Sequence, residues 1–276
     1  MMTQPTDRPS THPLGTDGDL RRRLLRHHVP LALATAVVLV LLMTLPVFDA
    51  TRYPHGDITS GKFPKQRRSQ ATVLRETRPP LSYRQLTVAT GYIALPLLGM
   101  TLLVGPANLV LRRRNPISNY LSRDVGTWAA TASVVHVIFG LHVHGAGRIR
   151  DFLNYFVAPD GSPWTNSFGL ANWTGLAAVV IAMGLLAISS DAALRKLKSR
   201  RWKRLQRLNY ALFMLVILHA VFYGALVRLT SPYTRLLGLT VLAVFAGQAI
   251  GIWLWRRRYS HLAHVRGLAA PESDHR

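Results

Sequence analysis

The sequence predicts an all-α, polytopic membrane protein: a bundle of six transmembrane helices with both termini cytoplasmic. Three observations carry this. Apolar residues make up 49% of the 276, and they fall into long uninterrupted runs rather than the alternating or amphipathic patterns of a soluble core. Six such runs approach the roughly 20 residues needed to cross about 30 Å of hydrocarbon at about 1.5 Å per residue. The Arg and Lys residues gather between the runs, where positive-inside topology and anionic lipid head groups account for them.

Composition also excludes. A formal net charge of +22 in a soluble chain would suggest nucleic acid, but there is no zinc-ligand spacing and no basic patch interleaved with stacking aromatics. The lipid bilayer is the partner this charge fits, and nucleic acid is set aside. Cysteine is absent, which rules out disulfides, thiolate metal sites, iron–sulfur clusters and covalently attached c-type haem within this chain. Any redox centre must rest on His, Met or a non-covalently held cofactor.

In chain order, residues 1–20 are rich in Thr, Pro, Gly and Asp and read as a disordered cytoplasmic tail. The cluster Arg21-Arg22-Arg23-Leu24-Leu25-Arg26 loosely resembles a twin-arginine export signal. The apolar run behind it, 29–48, is long enough to span a bilayer, so it is read as an uncleaved first helix. Further spans are placed at 86–111, 125–141, 169–189, 208–226 and 236–255, with a kink expected at Pro96 and Pro106. The transmembrane domain thus covers 21–258, with 259–276 as a cytoplasmic tail. Arg112–Arg114, Arg123, the dense basic loop 195–207 and Arg256–Arg258 share one side, which the charge bias makes cytoplasmic. The loop 49–85 conflicts with that bias, because it carries Lys62, Lys65, Arg67, Arg68 and Arg75 yet lies outside by helix count. Its Pro, Gly and Ser content marks it as long and irregular.

An ionisable group inside a transmembrane helix is costly and is by default a functional-site hypothesis. His136 lies 13 positions after Arg123 in the third span, and His219 lies 12 positions after Arg207 in the fifth. Both helices start on the cytoplasmic side, so both imidazoles sit roughly 18–20 Å in, past the midplane. Two His at matched depth on parallel helices are what a planar macrocycle, clamped edge-on, requires. Ala132, Ser133 and Gly140 share the His136 face and would clear room for it; they would equally suit close helix packing. Leu215, Val216, Phe222 and Tyr223 supply a bulkier wall near His219. The bland alternative is that each His simply hydrogen-bonds across the bundle. His142 and His144, about 200° apart on a helix, read as interfacial side chains, as do His27 and His28.

The segment Arg123-Asp124-Val125-Gly126-Thr127-Trp128 with His136 resembles the third helix of ferric-reductase-like transmembrane domains. Trp202-Lys203-Arg204-Leu205-Gln206-Arg207-Leu208-Asn209-Tyr210, leading to His219, resembles their fifth, and Asn172-Trp173 through Ser189-Ser190-Asp191 their fourth. Within that family the likeness, over about 83–255, is to the YedZ/MsrQ-type haem-binding subunits of the periplasmic methionine sulfoxide reductase system. The resemblance implies a bacterial inner-membrane b-type cytochrome with His136 and His219 as axial ligands of the haem iron. It further implies electrons drawn from the quinone pool or from a cytoplasmic flavin reductase, with FMN left open as a cofactor. They would pass to an extracytoplasmic redox partner, in the family a molybdopterin-containing reductase. Gln206 stands where the family commonly has another His, which removes a ligand from any second haem on the inner side. The long basic outer loop also departs from the family pattern.

Arg148 and Arg150, just beyond the third span, are candidate contacts for haem propionates. The chain carries no glycine-rich dinucleotide fingerprint and ends about 20 residues after its last span, so a self-contained reductase is not expected. An electron-transfer subunit of an oxidoreductase fits better than a complete enzyme. A haem-free transport or assembly subunit is the competing class. Against transport, the spans hold no deep carboxylate, since Asp124 and Asp191 fall at helix ends, and no inverted repeat is evident.

Overall fold

The computed structural model describes residues 24–45, 48, 82–111, 117–145, 149–226 and 229–268. The 1–20 tail, most of the 49–85 loop and Arg148 lie outside the described residues, as do the side chains of His144 and Arg150. A π-helical turn over Leu24–His28 leads into α1 (Val29–Thr44). It is followed by α2 (Tyr83–Val110), α3 (Ile117–Gly145), α4 (Ser167–Ala187), α5 (Asp191–Gln206), α6 (Leu208–Phe222) and α7 (Pro232–Leu268). A 3-10 helix over Ile149–Tyr155 lies between α3 and α4.

Local chemistry sets the boundaries. Ser82, Asn166 and Ser190 have extended backbones, and their side-chain oxygens accept the N–H of Gln85, Gly169 and Ala193. Each satisfies a backbone donor that the first helical turn leaves unpaired. α2 continues through Pro96 and Pro106 without interruption. α6 stops at Phe222, four residues earlier than expected, and a turn containing Gly224 at φ 82° follows.

Among the described residues, six helical stretches are long and apolar enough to cross a membrane: Leu25–Thr44, Tyr83–Val110, Leu121–Val143, Ser167–Ala187, Arg200–Phe222 and Pro232–Arg258. Their outward faces are apolar too, with Leu33, Val40, Val180, Leu239, Leu242 and Phe245 exposed. A continuous apolar exterior suits lipid rather than water, and the chain is a multi-pass membrane protein. The basic stretch expected as a loop at 195–207 is instead the helix α5 through Gln206. Trp202 holds α5 against the end of α4 by donating its indole N–H to the Ile188 carbonyl at 3.0 Å.

The bundle has two leaves. α2 is central to the larger leaf and packs against α1, α3 and α7, while α4 and α6 pack together as the second. Lipid offers little hydrophobic drive between helices, so small side chains and interhelical hydrogen bonds hold the larger leaf. Ala89, Ala94, Ala129 and Ala132 are buried in it. Gln248 of α7 donates to the Leu102 carbonyl of α2 at 2.7 Å and accepts from the Tyr210 hydroxyl of α6 at 3.2 Å. Direct contact between the leaves is sparse, and a cleft runs between them.

The inner mouth of α1 corrects two expectations. His27 and His28 do not simply face outward: both turn inward to Asp124, which is only 1% exposed despite being placed at a helix end by the sequence. His27 Nδ1 lies 2.7 Å from Asp124 Oδ2, and His28 Nε2 lies 3.5 Å from Oδ1. Trp128 donates its indole N–H to His28 Nδ1 at 3.3 Å. A buried carboxylate needs such partners.

Candidate cofactor site

The cleft is a cavity of about 910 Å³, within the range of small-molecule and cofactor pockets. Phe152, Tyr155, Phe156 and Phe168 close it at the end where α3 and α6 finish. Arg123, Trp202, Gln206 and Arg207 line the opposite end. His136 from the first leaf and His219 from the second project into it. Their ring centroids are 5.9 Å apart with planes at 80°. Two metal–imidazole bonds of about 2 Å, plus a little more than half of each ring, would put the centroids about 6 Å apart.

Each ring is locked by its own leaf. The Nδ1–H of His136 donates to the Thr87 carbonyl of α2 at 2.8 Å, and that of His219 donates to the Ala171 carbonyl of α4 at 2.8 Å. A carbonyl can only accept, so both rings are protonated at Nδ1, which leaves Nε2 as the nitrogen able to bind a metal. That tautomer, fixed by a backbone carbonyl, is the usual state of a metal-ligating histidine.

Glycine makes both contacts possible. A Cβ at Gly91 would lie 2.9 Å from His136 Nδ1, and one at Gly175 would lie 2.7 Å from His219 Nδ1. Any other residue would push the ring off its carbonyl. The two half-sites therefore repeat: a Gly in α2 or α4, a carbonyl four residues earlier, and a His on the next membrane-crossing helix of the same leaf.

Sequence reasoning missed these supports. The signal was present as Leu86-x3-Thr90-Gly91 and Leu170-x3-Thr174-Gly175, 84 positions apart, beside histidines 83 positions apart. This is a parallel repeat, so looking for inverted symmetry could not find it. Of the small residues expected beside His136, Ser133 and Gly140 line the cavity, whereas Ala132 is buried in the core. Around His219 the lining includes Leu212, Val216 and Ala220 of α6 and Tyr223 just beyond it, but not Leu215 or Phe222. His142 turns away, donating from Nδ1 to the Ile138 carbonyl at 2.8 Å and stacking on Tyr83. Gln206 reaches the cavity and accepts from the Asn209 amide at 3.0 Å.

Beyond His219 the aromatic-capped end is polar but satisfied. The Tyr223 hydroxyl donates to Asn172 Oδ1 at 2.7 Å, Asn172 donates to the Tyr155 carbonyl at 3.1 Å, and the Tyr155 hydroxyl donates to the Leu141 carbonyl at 2.9 Å. This network seats the 3-10 helix over the cavity. Among the described residues, no group of three or more His, Cys, Asp or Glu is placed to hold a metal ion. A bare tetrahedral metal asks for three or four protein donors, whereas a macrocycle brings four of its own and asks for two. The donor set fits the second.

Part of the chain is similar to a haem-binding subunit. Over 84 residues it is 41% identical to the protein-methionine-sulfoxide reductase heme-binding subunit MsrQ of Bordetella pertussis. The match covers 30% of this chain and 39% of that protein, so the chain spans about two fifths of the relative's length. No family model matches the chain. No solved structure matches it.

Proposed function

We propose that the chain is the electron-transfer subunit of an oxidoreductase, a membrane b-type cytochrome with His136 and His219 as the axial ligands of one haem. The observation that supports this best is the pair of Nδ1-locked imidazoles, 5.9 Å apart across an apolar cleft, each free at Nε2. With both axial positions taken, haem supplies one-electron transfer and offers no open coordination site to oxygen or substrate. The chain's own work is positional. Gly91 and Gly175 admit the rings, the Thr87 and Ala171 carbonyls fix their tautomer, and the aromatic cap of Tyr155, Phe156 and Phe168 limits water.

In this reading the basic termini face the cytoplasm, 21–258 forms the transmembrane unit, and the histidines sit toward the outer leaflet of a bacterial inner membrane. Electrons come from quinol or a separate flavin reductase and leave to an extracytoplasmic partner. The partial likeness to MsrQ favours a methionine sulfoxide reductase as that partner. Gln206 offers an amide where a second haem would need an imidazole, so one haem is expected.

Absorption spectra of the purified protein, oxidised and dithionite-reduced, test this together with the haem-to-protein ratio. A low-spin b-type spectrum at a ratio near one is expected, lost in both His136→Ala and His219→Ala. Retention of that spectrum in the two variants would overturn the assignment.

A further inference from the structure

The carbonyls that hold the imidazoles have a second side-chain donor in common. Thr90 Oγ1 lies 3.1 Å from the Thr87 carbonyl, and Thr174 Oγ1 lies 2.9 Å from the Ala171 carbonyl. Each hydroxyl also reaches the carbonyl four residues back, Leu86 at 2.7 Å and Leu170 at 2.8 Å. We propose that Thr90 and Thr174 are positioning residues that tune the electron-donating strength of His136 and His219 through these shared carbonyls.

The physical reason is competition for one oxygen. A carbonyl that accepts an O–H bond has less electron density to offer an N–H. The stronger the Nδ1–H···O bond, the more electron-rich the imidazole and the better its Nε2 donates to a metal. Each Thr hydroxyl therefore weakens the hold on its histidine and makes that histidine a poorer donor. Poorer donors favour reduced iron over oxidised iron and so raise the midpoint potential.

The geometry ranks the two residues. A hydroxyl has one proton to share between its two acceptors. Thr174 is nearly equidistant from them, at 2.8 and 2.9 Å, whereas Thr90 favours Leu86, at 2.7 against 3.1 Å. The greater influence falls on His219.

This inference rests on haem binding between the two histidines, and its test separates the two. Redox titration of wild type, Thr174→Val, Thr174→Ser and Thr90→Val, each checked for haem-to-protein ratio, measures the effect. Val keeps the shape of Thr and removes only the donor; Ser keeps the donor. Thr174→Val is expected to change the oxidised-to-reduced ratio at fixed potential on the order of threefold toward oxidised, about 28 mV downward. Thr90→Val should move it less, in the same direction, and Thr174→Ser should restore the wild-type value. If wild type binds no haem, the functional reading falls and this inference with it. If all four bind haem equally and Thr174→Val leaves the potential unchanged or raises it, the tuning role falls alone. A shift in Thr174→Val that Thr174→Ser fails to reverse also overturns it, because the hydroxyl would not be its cause.

Discussion

Replacing Gly175 with Ala puts the half-site geometry to a test whose sign is opposite to that of ordinary helix energetics. In a helix interior the change should gain stability, by about 0.8–1.0 kcal/mol. Here the new methyl would lie 2.7 Å from His219 Nδ1 and 2.9 Å from its Cε1. Reaching ordinary contact at 3.4 Å requires a shift of about 0.7 Å, more than the roughly 0.5 Å that a preorganised site tolerates. The shift strains packing by about 1–3 kcal/mol and weakens a hydrogen bond worth about 0.5–1.5 kcal/mol. The net expectation is a loss of about 2 kcal/mol. Gly184, in the same helix, has nothing within 4 Å of its would-be Cβ and serves as the control. Unfolding in detergent, followed by far-UV circular dichroism on haem-free protein, should show Gly175→Ala less stable than wild type and Gly184→Ala no less stable. In haem-loaded preparations, Gly175→Ala should retain less than a tenth of the low-spin haem and Gly184→Ala all of it. Equal stability and full haem in both variants would refute the geometry.

Two further outcomes follow from polar groups outside the cleft. Asp124→Asn replaces the carboxylate that His27 and His28 both approach, and weakening hydrogen bonds to a buried charged group should cost about 1.5–3 kcal/mol; since α1 packs chiefly on α2, proteolysis near α1 should accelerate, and unchanged protection would count against the clamp. Asp160 accepts from the Ser162 hydroxyl at 2.7 Å and its N–H at 3.0 Å, which hold its carboxyl below the usual carboxylate range. A depressed carboxyl contributes stability above its ordinary titration range and loses it as pH falls through the lowered value. Protection of the Ser162 amide, measured against its intrinsic exchange rate, should therefore fall only once the pH drops below the ordinary carboxylate range, and Asp160→Asn should abolish that dependence.

The sequence made the helices legible and their partnerships only partly so. Long apolar runs cannot be hidden, and five of the six spans were placed within a few residues. The seven Lys and Arg of α5 read as a loop, although Ser190 followed by Asp191-Ala192-Ala193-Leu194 is a serviceable helix start. Asp124 was misjudged for a different reason. Its depth depends on α3 beginning as early as Ile117, a boundary that hydropathy does not mark because Asn119, Arg123 and Asp124 interrupt it. With Asp124 read at a helix end, nothing in the sequence pairs it with His27 and His28.

The candidate site was legible in its ligands but not in its supports, and the difference is physical. An imidazole at bilayer depth carries its own cost and stands out residue by residue. A glycine or a backbone carbonyl carries none, and acquires meaning only when another helix is laid against it. The spacing of 84 between Gly91 and Gly175, matching the 83 between His136 and His219, supplies that second helix without coordinates. It says that whatever α2 does for α3, α4 does for α6. Each leaf alone presents one locked ring to the cleft, and only their apposition makes a two-sided site. That is why the cleft, the weakest seam of the bundle, coincides with its most elaborately positioned side chains. A ligand gripping both rings would join the leaves where the helices themselves scarcely touch.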